Sequence, residues 1–179
     1  IMEDLDVNLR DMSWSPDGEW IAFGSPRKSA FNSGSEDIWI RRAEGGESIQ
    51  VTTDEAVDVY PIWAPDGMSL LWASDRGGHT NLWSKKHFTD EAPQQVTANT
   101  DSLLHVGIAV SSFSPDGTRI ASGSHDKTVK VWNAATGEVV QTLQGHYRGV
   151  RAVAIRQYRK GRSTRSESYT ERGAPEQKR

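Results

Sequence analysis

Cysteine is absent from the 179 residues, which excludes disulfide cross-links and thiolate chemistry and leaves the redox compartment open. Long apolar runs are absent too: nothing approaches the roughly 20 residues of a membrane-spanning helix, so no membrane partner is expected. The opening Ile1-Met2-Glu3-Asp4-Leu5-Asp6 is acidic and lacks the basic-then-apolar order of a signal peptide. An isoleucine in first place reads as the start of a piece of a longer product, with the cytoplasm as the favoured location. The nucleophile motif Gly-x-Ser-x-Gly is missing. Its nearest approaches, Gly46-Glu47-Ser48-Ile49-Gln50 and Gly161-Arg162-Ser163-Thr164-Arg165, both lack the closing glycine. His79, His87, His105, His125 and His146 show no paired ligand spacing such as His-x-x-x-His. Asp58 and Asp101, which precede inner strands, read as surface turn caps rather than as ligands lining a channel. No catalytic residue, cofactor or metal site is therefore expected.

Methionine is scarce at 3 and the apolar share is a low 35%, whereas Trp numbers 7, so large rigid aromatics must do the packing. With 16 Gly and 7 Pro the chain favours short strands and many turns. One tripeptide organises it. Pro-Asp-Gly recurs as Ser15-Pro16-Asp17-Gly18, Ala64-Pro65-Asp66-Gly67 and Ser114-Pro115-Asp116-Gly117, with the aspartates 49 and 50 residues apart. Proline presets φ, aspartate bonds its own turn backbone and glycine accepts positive φ, so each copy predicts a hairpin turn. A period in this range marks a repeated supersecondary unit that cannot bury its apolar faces alone.

The strand pattern repeats with the turns. In the middle unit Val59–Trp63, Ser69–Ser74, Asn81–Lys85 and Gln94–Thr97 read as four short strands. The first unit offers Met12–Trp14, Trp20–Phe23, Asp37–Ile40 and Ser48–Val51, and the third Ile108–Phe113, Arg119–Ser122, Thr128–Trp132 and Glu138–Thr142. Four antiparallel strands per period describe a β-propeller blade. The expected fold is thus all-β: a partial β-propeller with blades at about 10–53, 58–98 and 105–144. From the turn aspartate to the third-strand tryptophan the gap is 22 residues to Trp39, 17 to Trp83 and 16 to Trp132. The first unit accordingly carries an insertion at about Ser25–Glu36, read as a hairpin extension. Tyr147–Ile155 reads as the first strand of a fourth unit, after which the turn motif fails to follow. Residues 156–179 are charged, Ser-rich and without apolar periodicity, and are expected to be a disordered basic tail.

Charge divides at the same point. Residues 1–155 hold 13 Lys/Arg against 21 Asp/Glu, and the remainder 8 against 3. The acidic body is a poor candidate for nucleic acid, and the tail lacks interleaved aromatics other than Tyr158 and Tyr169.

The first two units, with Trp14-Ser15-Pro16-Asp17-Gly18, Trp63-Ala64-Pro65-Asp66-Gly67 and Ser74-Asp75-Arg76-Gly77-Gly78, resemble the TolB-type propeller repeat. The third resembles a WD repeat through Phe113-Ser114-Pro115-Asp116-Gly117, Ile120-Ala121-Ser122-Gly123-Ser124 and Val129-Lys130-Val131-Trp132-Asn133, followed by Gly145-His146. In WD repeats a His, a second-strand Ser or Thr, a turn Asp and the third-strand Trp form a hydrogen-bonded set. The resemblance implies Ser122 or Ser124, Asp126 and Trp132 for that set, with His105 as its histidine and His146 as that of the next unit. These residues, with the turn aspartates Asp17, Asp66 and Asp116, are expected to be structural. Burying an indole N–H or a carboxylate without a partner is costly.

Three blades are short of the 4 to 8 that typically close a ring, so the arc needs company. It comes from a longer parent or from a homodimer; a third reading is a fragment that does not fold stably alone. The expected function is a non-catalytic scaffold that binds a protein or peptide partner. The alternative is the accessory propeller of a larger hydrolase of the peptidase type, whose catalytic domain is absent here.

Overall fold

The computed structural model describes residues 12–26, 36–98 and 108–156. Among them there is no helix, and every regular element is a strand. The first sheet comprises β1 (Ser13–Trp14), β2 (Trp20–Pro26), β3 (Glu36–Arg42) and β4 (Ile49–Gln50). The second comprises β5 (Asp58–Trp63), β6 (Ser69–Ser74), β7 (Asn81–Lys86) and β8 (Gln94–Gln95). The third comprises β9 (Ile108–Phe113), β10 (Arg119–Ser124), β11 (Val129–Asn133) and β12 (Val139–Leu143). All three are antiparallel in sequence order, as four-stranded propeller blades require, and the arc is open. No helix among the described residues is long and apolar enough to cross a membrane.

Successive blades pack face to face, β2 and β3 against β5, then β5 and β6 against β9. Side chains alternate across each strand, so one face of a blade serves the interface before it and the other the interface after it. Ala22, Ile38, Ile40 and Val51 of the first blade meet Trp63, Leu70 and Trp72 of the second. From the opposite face of the second blade Leu71, Ala73 and Leu82 meet Ile120 and Trp132 of the third.

The ladder defines equivalent positions in the three blades. Ile21, Leu70 and Ile120 each pair with the inner-strand aromatic before the turn, Trp14, Trp63 and Phe113. On the other side the same three pair with Arg41, Lys85 and Trp132. Trp132 is therefore not the counterpart of Trp39 and Trp83, which pair with Phe23 and Trp72; it lies one dyad further along its strand. The equal-looking gaps to Trp83 and Trp132 conceal a tighter β10–β11 hairpin. In the first blade the ladder continues to Pro26↔Glu36, so the insertion does extend the β2–β3 hairpin, with its tip outside the described residues.

The expected first strand of a fourth unit is not formed: 147–156 carries no strand. The segment is joined to the third blade by a hydrogen bond from the Val150 N–H to the Ser124 carbonyl (2.8 Å). A Cβ on Gly123 would stand 2.7 Å from Val150 Cγ1, so that glycine is what admits the segment to the blade. The expected disordered tail lies outside the described residues from 157 onward.

Candidate binding site

All three Pro-Asp-Gly motifs form the turn between the first and second strands of their blades, with the glycines at φ 75°, 67° and 72°. Asp17 accepts the Ser15 hydroxyl (2.5 Å) and the Glu19 N–H (2.9 Å). Asp116 accepts the Ser114 hydroxyl (2.6 Å) and both the N–H (3.0 Å) and hydroxyl (2.9 Å) of Thr118. Asp66, preceded by Ala64 rather than serine, takes its donors from Met68 and Ser69 instead. The Ser114 hydroxyl, then the Thr118 donors, hold the Asp116 carboxyl down to about 2. Asp17 is lowered in the same way, and Asp66 is lowered although burial opposes its hydrogen bonds.

A carboxyl lowered by folding contributes stability that is present above its unfolded value, about 3.9, and is lost as pH falls through the folded one. Urea-unfolding stability measured from pH 5 to pH 2 is expected to fall in the wild type and to fall less steeply in Asp116→Asn. Parallel pH profiles would refute this assignment.

The residues implied by the WD resemblance separate into two groups. The Trp132 Nε1–H donates to the Ser122 hydroxyl oxygen (2.8 Å), a fully buried bond across β10 and β11. Asp126 is bonded within its own turn, to the Thr128 N–H (2.8 Å) and hydroxyl (2.7 Å), while its N–H donates to Ser124 Oγ (3.2 Å). His146 is exposed beyond β12, and His105 lies outside the described residues.

The first two blades use another clasp. Thr52, just beyond β4, accepts the Ile38 N–H (2.9 Å) and donates to Asp37 (3.4 Å). Thr97, beyond β8, accepts the Leu82 N–H (2.9 Å) and donates to Asn81 (3.1 Å). Threonine here follows an outer strand of only 2 residues, whereas β12 runs for 5 and pairs Leu143 with Val129, at the place that Val51 and Val96 hold in the first two blades. Asp-Ile-Trp or Asn-Leu-Trp followed by Val-Thr was the sequence signal for this clasp.

At the opposite end from the Pro-Asp-Gly turns, Arg76 bridges Asp54 and Asp58 (3.4 Å) and lies over the Trp83 ring (4.8 Å). Asp58 is 0% exposed, so it is a buried ion-pair residue and not a surface turn cap. Burial pushes its carboxyl up, against the Ser74 and Thr52 hydroxyls, which favour the ionised form. Asp101 lies outside the described residues. Among the described residues no three His, Asp or Glu side chains gather as a metal site would require.

A cleft of about 600 Å³ opens between the second and third blades at the Pro-Asp-Gly end. Its mouth carries Pro65, Asp66, Pro115 and Asp116, and its floor Leu71, Val96, Phe113 and Ile120. It adjoins a polar chamber of about 500 Å³ that shares Ser69, Ser84, Val96, Ala134 and Ala135 and extends along Gln94 and Gln95 of the edge strand β8. An apolar floor with a few convergent polar groups is the usual form of a binding pocket.

Four-stranded blades in series, each closed by the same turn, define a propeller protein. The family model of the PD40 TolB beta propeller domain matches residues 8–144, and the chain belongs to that family. Dipeptidyl-peptidase 5 of Porphyromonas gingivalis is 26% identical over 147 residues, covering 78% of this chain and 21% of that protein. U3 small nucleolar RNA-associated protein 13 of Saccharomyces cerevisiae is 30% identical over 157 residues, covering 83% and 18%. The crystal structure of TolB from Acinetobacter baumannii superposes with a TM-score of 0.58 at 22% identity, over 75% of this chain and 31% of that one. The chain thus spans about a fifth of the length of these curated relatives.

Proposed function

We propose that the blades form a non-catalytic scaffold that binds a polypeptide partner at the end carrying the Pro-Asp-Gly turns. The observation that carries this reading is the cleft of about 600 Å³, held between two blades whose rims are fixed by their own turn hydrogen bonds. Such a preformed concavity binds without the ordering cost of a flexible loop. Incubation of the folded chain with peptide amides is expected to give no hydrolysis; turnover that co-purifies with the folded peak would overturn the reading. The second reading, an accessory propeller of a larger peptidase, is favoured by the similarity to dipeptidyl-peptidase 5 over most of this chain. There the blades would position substrate for a catalytic domain elsewhere in the parent.

We further propose that a second copy completes the arc. Trp63 is 6% exposed because the first blade covers it, yet its counterpart Trp14 is 59% exposed among the described residues. Met12 is also exposed, and such apolar area favours association. Light scattering is expected to give twice the chain mass of 19.8 kDa, and Trp14→Ser to give the monomer. A monomeric wild type would overturn self-association and assign the cover of Trp14 to a longer parent.

A further inference from the structure

The interface between the first two blades and that between the second and third are built on one backbone plan, and their side chains differ at equivalent positions. In the first interface Trp20 from β2 meets His87 and Phe88 from the turn after β7, with ring centroids 6.3 Å and 5.2 Å away. His87 also lies against Phe88 at a tilt (3.8 Å) and meets Trp63 edge-on (4.8 Å). The space beneath the turns is filled with rings.

In the second interface the ladder puts Ser69 where Trp20 stands and Ser84 where Ile40 stands. Ala134, whose N–H bonds the Thr118 carbonyl as the His87 N–H bonds that of Met68, replaces His87, and Ala135 replaces Phe88. Phe113 takes the place of Trp63. Leu71 for Ala22 is the exchange toward larger volume on the floor of the cleft; Ala73 for Gly24, Ile62 for Ser13 and Trp132 for Lys85 also enlarge the interface, but outside the residues that line the cleft. The cleft is therefore the space of an aromatic cluster whose rings this interface lacks. Meanwhile the strands on either side remain packed through Leu71, Ile120 and Trp132.

We infer that this cleft receives the aromatic side chain, tryptophan or tyrosine, of an extended polypeptide partner, seated where Trp20, His87 and Phe88 meet one interface earlier. The inference rests on the scaffold reading and names its site and ligand. Three further observations fix the class of occupant. The floor is apolar and the walls carry small side chains, which suits a flat ring. The ionised Asp66 and Asp116 at the mouth favour a ring with an N–H or O–H donor over phenylalanine. The adjoining polar chamber runs along the edge strand β8, whose unpaired backbone side and Gln94 and Gln95 suit an extended main chain.

The test is an amide NMR titration of the full chain with acetyl-Gly-Trp-Gly-amide, with acetyl-Gly-Ala-Gly-amide as the comparison. Saturable shifts are expected at Ser69, Ser84, Val96, Ala134 and Ala135 with the tryptophan probe and not with the alanine probe. Ser69→Trp, which restores the ring of the preceding interface, is expected to weaken binding about tenfold or more. Ala135→Phe fills the same space from the opposite wall and serves if the first variant does not fold. Absence of saturable shifts at these amides, or binding by the filled variants as tight as wild type, would overturn the inference. Hydrolysis of the probe in the same samples would overturn the scaffold reading and leave the cleft standing. An intact, unbound probe would do the reverse.

Discussion

Trp72→Ala is expected to cost about 3–5 kcal/mol, a large share of the 5–15 kcal/mol that holds a typical domain together. Trp72 is fully buried on β6, against Ala22, Ile38 and Ile40 of the first blade and Trp63 and Leu70 of its own. Alanine there leaves a void between two rigid sheets that cannot collapse around it. A second substitution separates packing from hydrogen bonding. The Trp72 Nε1–H has no hydrogen-bond partner among the described residues, so Trp72→Phe loses ring area and also removes a buried unsatisfied donor. The same exchange at Trp132 takes the donor away from Ser122, itself 3% exposed, and leaves that hydroxyl unpaired. Trp132→Phe is thus expected to cost about 1–2 kcal/mol more than Trp72→Phe. Urea unfolding of the two variants side by side decides the matter, and equal losses would mean that the Ser122 bond contributes nothing net.

The particular residues show how far pattern reading reaches in such a chain. Pro-Asp-Gly determines its own turn through local hydrogen bonds, so all three turns fall where the motif predicts. Trp39, Trp83 and Trp132 were harder, because a shift of one dyad leaves every side chain on the same face of its strand. Alternation is unchanged by it; only the ladder reveals it. The threonine clasps were written in the sequence as Val51-Thr52 and Val96-Thr97, but their partners Asp37 and Asn81 stand 15 and 16 residues earlier. Asp58 looked like a turn cap because it opens a strand, and what the pattern could not show is its burial opposite Ser74 with an ion-pair partner, Arg76, 18 residues later. The cleft was illegible for a related reason. Ser69, Ser84, Ala134 and Ala135 are unremarkable one by one, and become a cavity only when aligned with Trp20, Ile40, His87 and Phe88.

Gly137→Val is expected to cost about 2–5 kcal/mol and to move the third blade relative to the second. Gly137 ends the β11–β12 turn at φ 70°, where its N–H donates to the Asn133 carbonyl (2.9 Å) and Asn133 Oδ1 accepts from Ala135 and Thr136. This well-bonded turn rests directly on the second blade. A Cβ on Gly137 would fall on the carbonyl oxygen of Val96, a backbone atom with no rotamer by which to escape. Relief requires the turn to lift away from β8, and with it one wall of the cleft. Gly67, at φ 67° with nothing within 4 Å, supplies the control: Gly67→Val carries the conformational cost alone. If the contact matters as the geometry implies, Gly137→Val loses clearly more stability than Gly67→Val, and it alone perturbs the Val96 amide and the binding of the aromatic probe. Equal losses, with the Val96 resonance undisturbed, would show that the two blades are not pressed together at this turn.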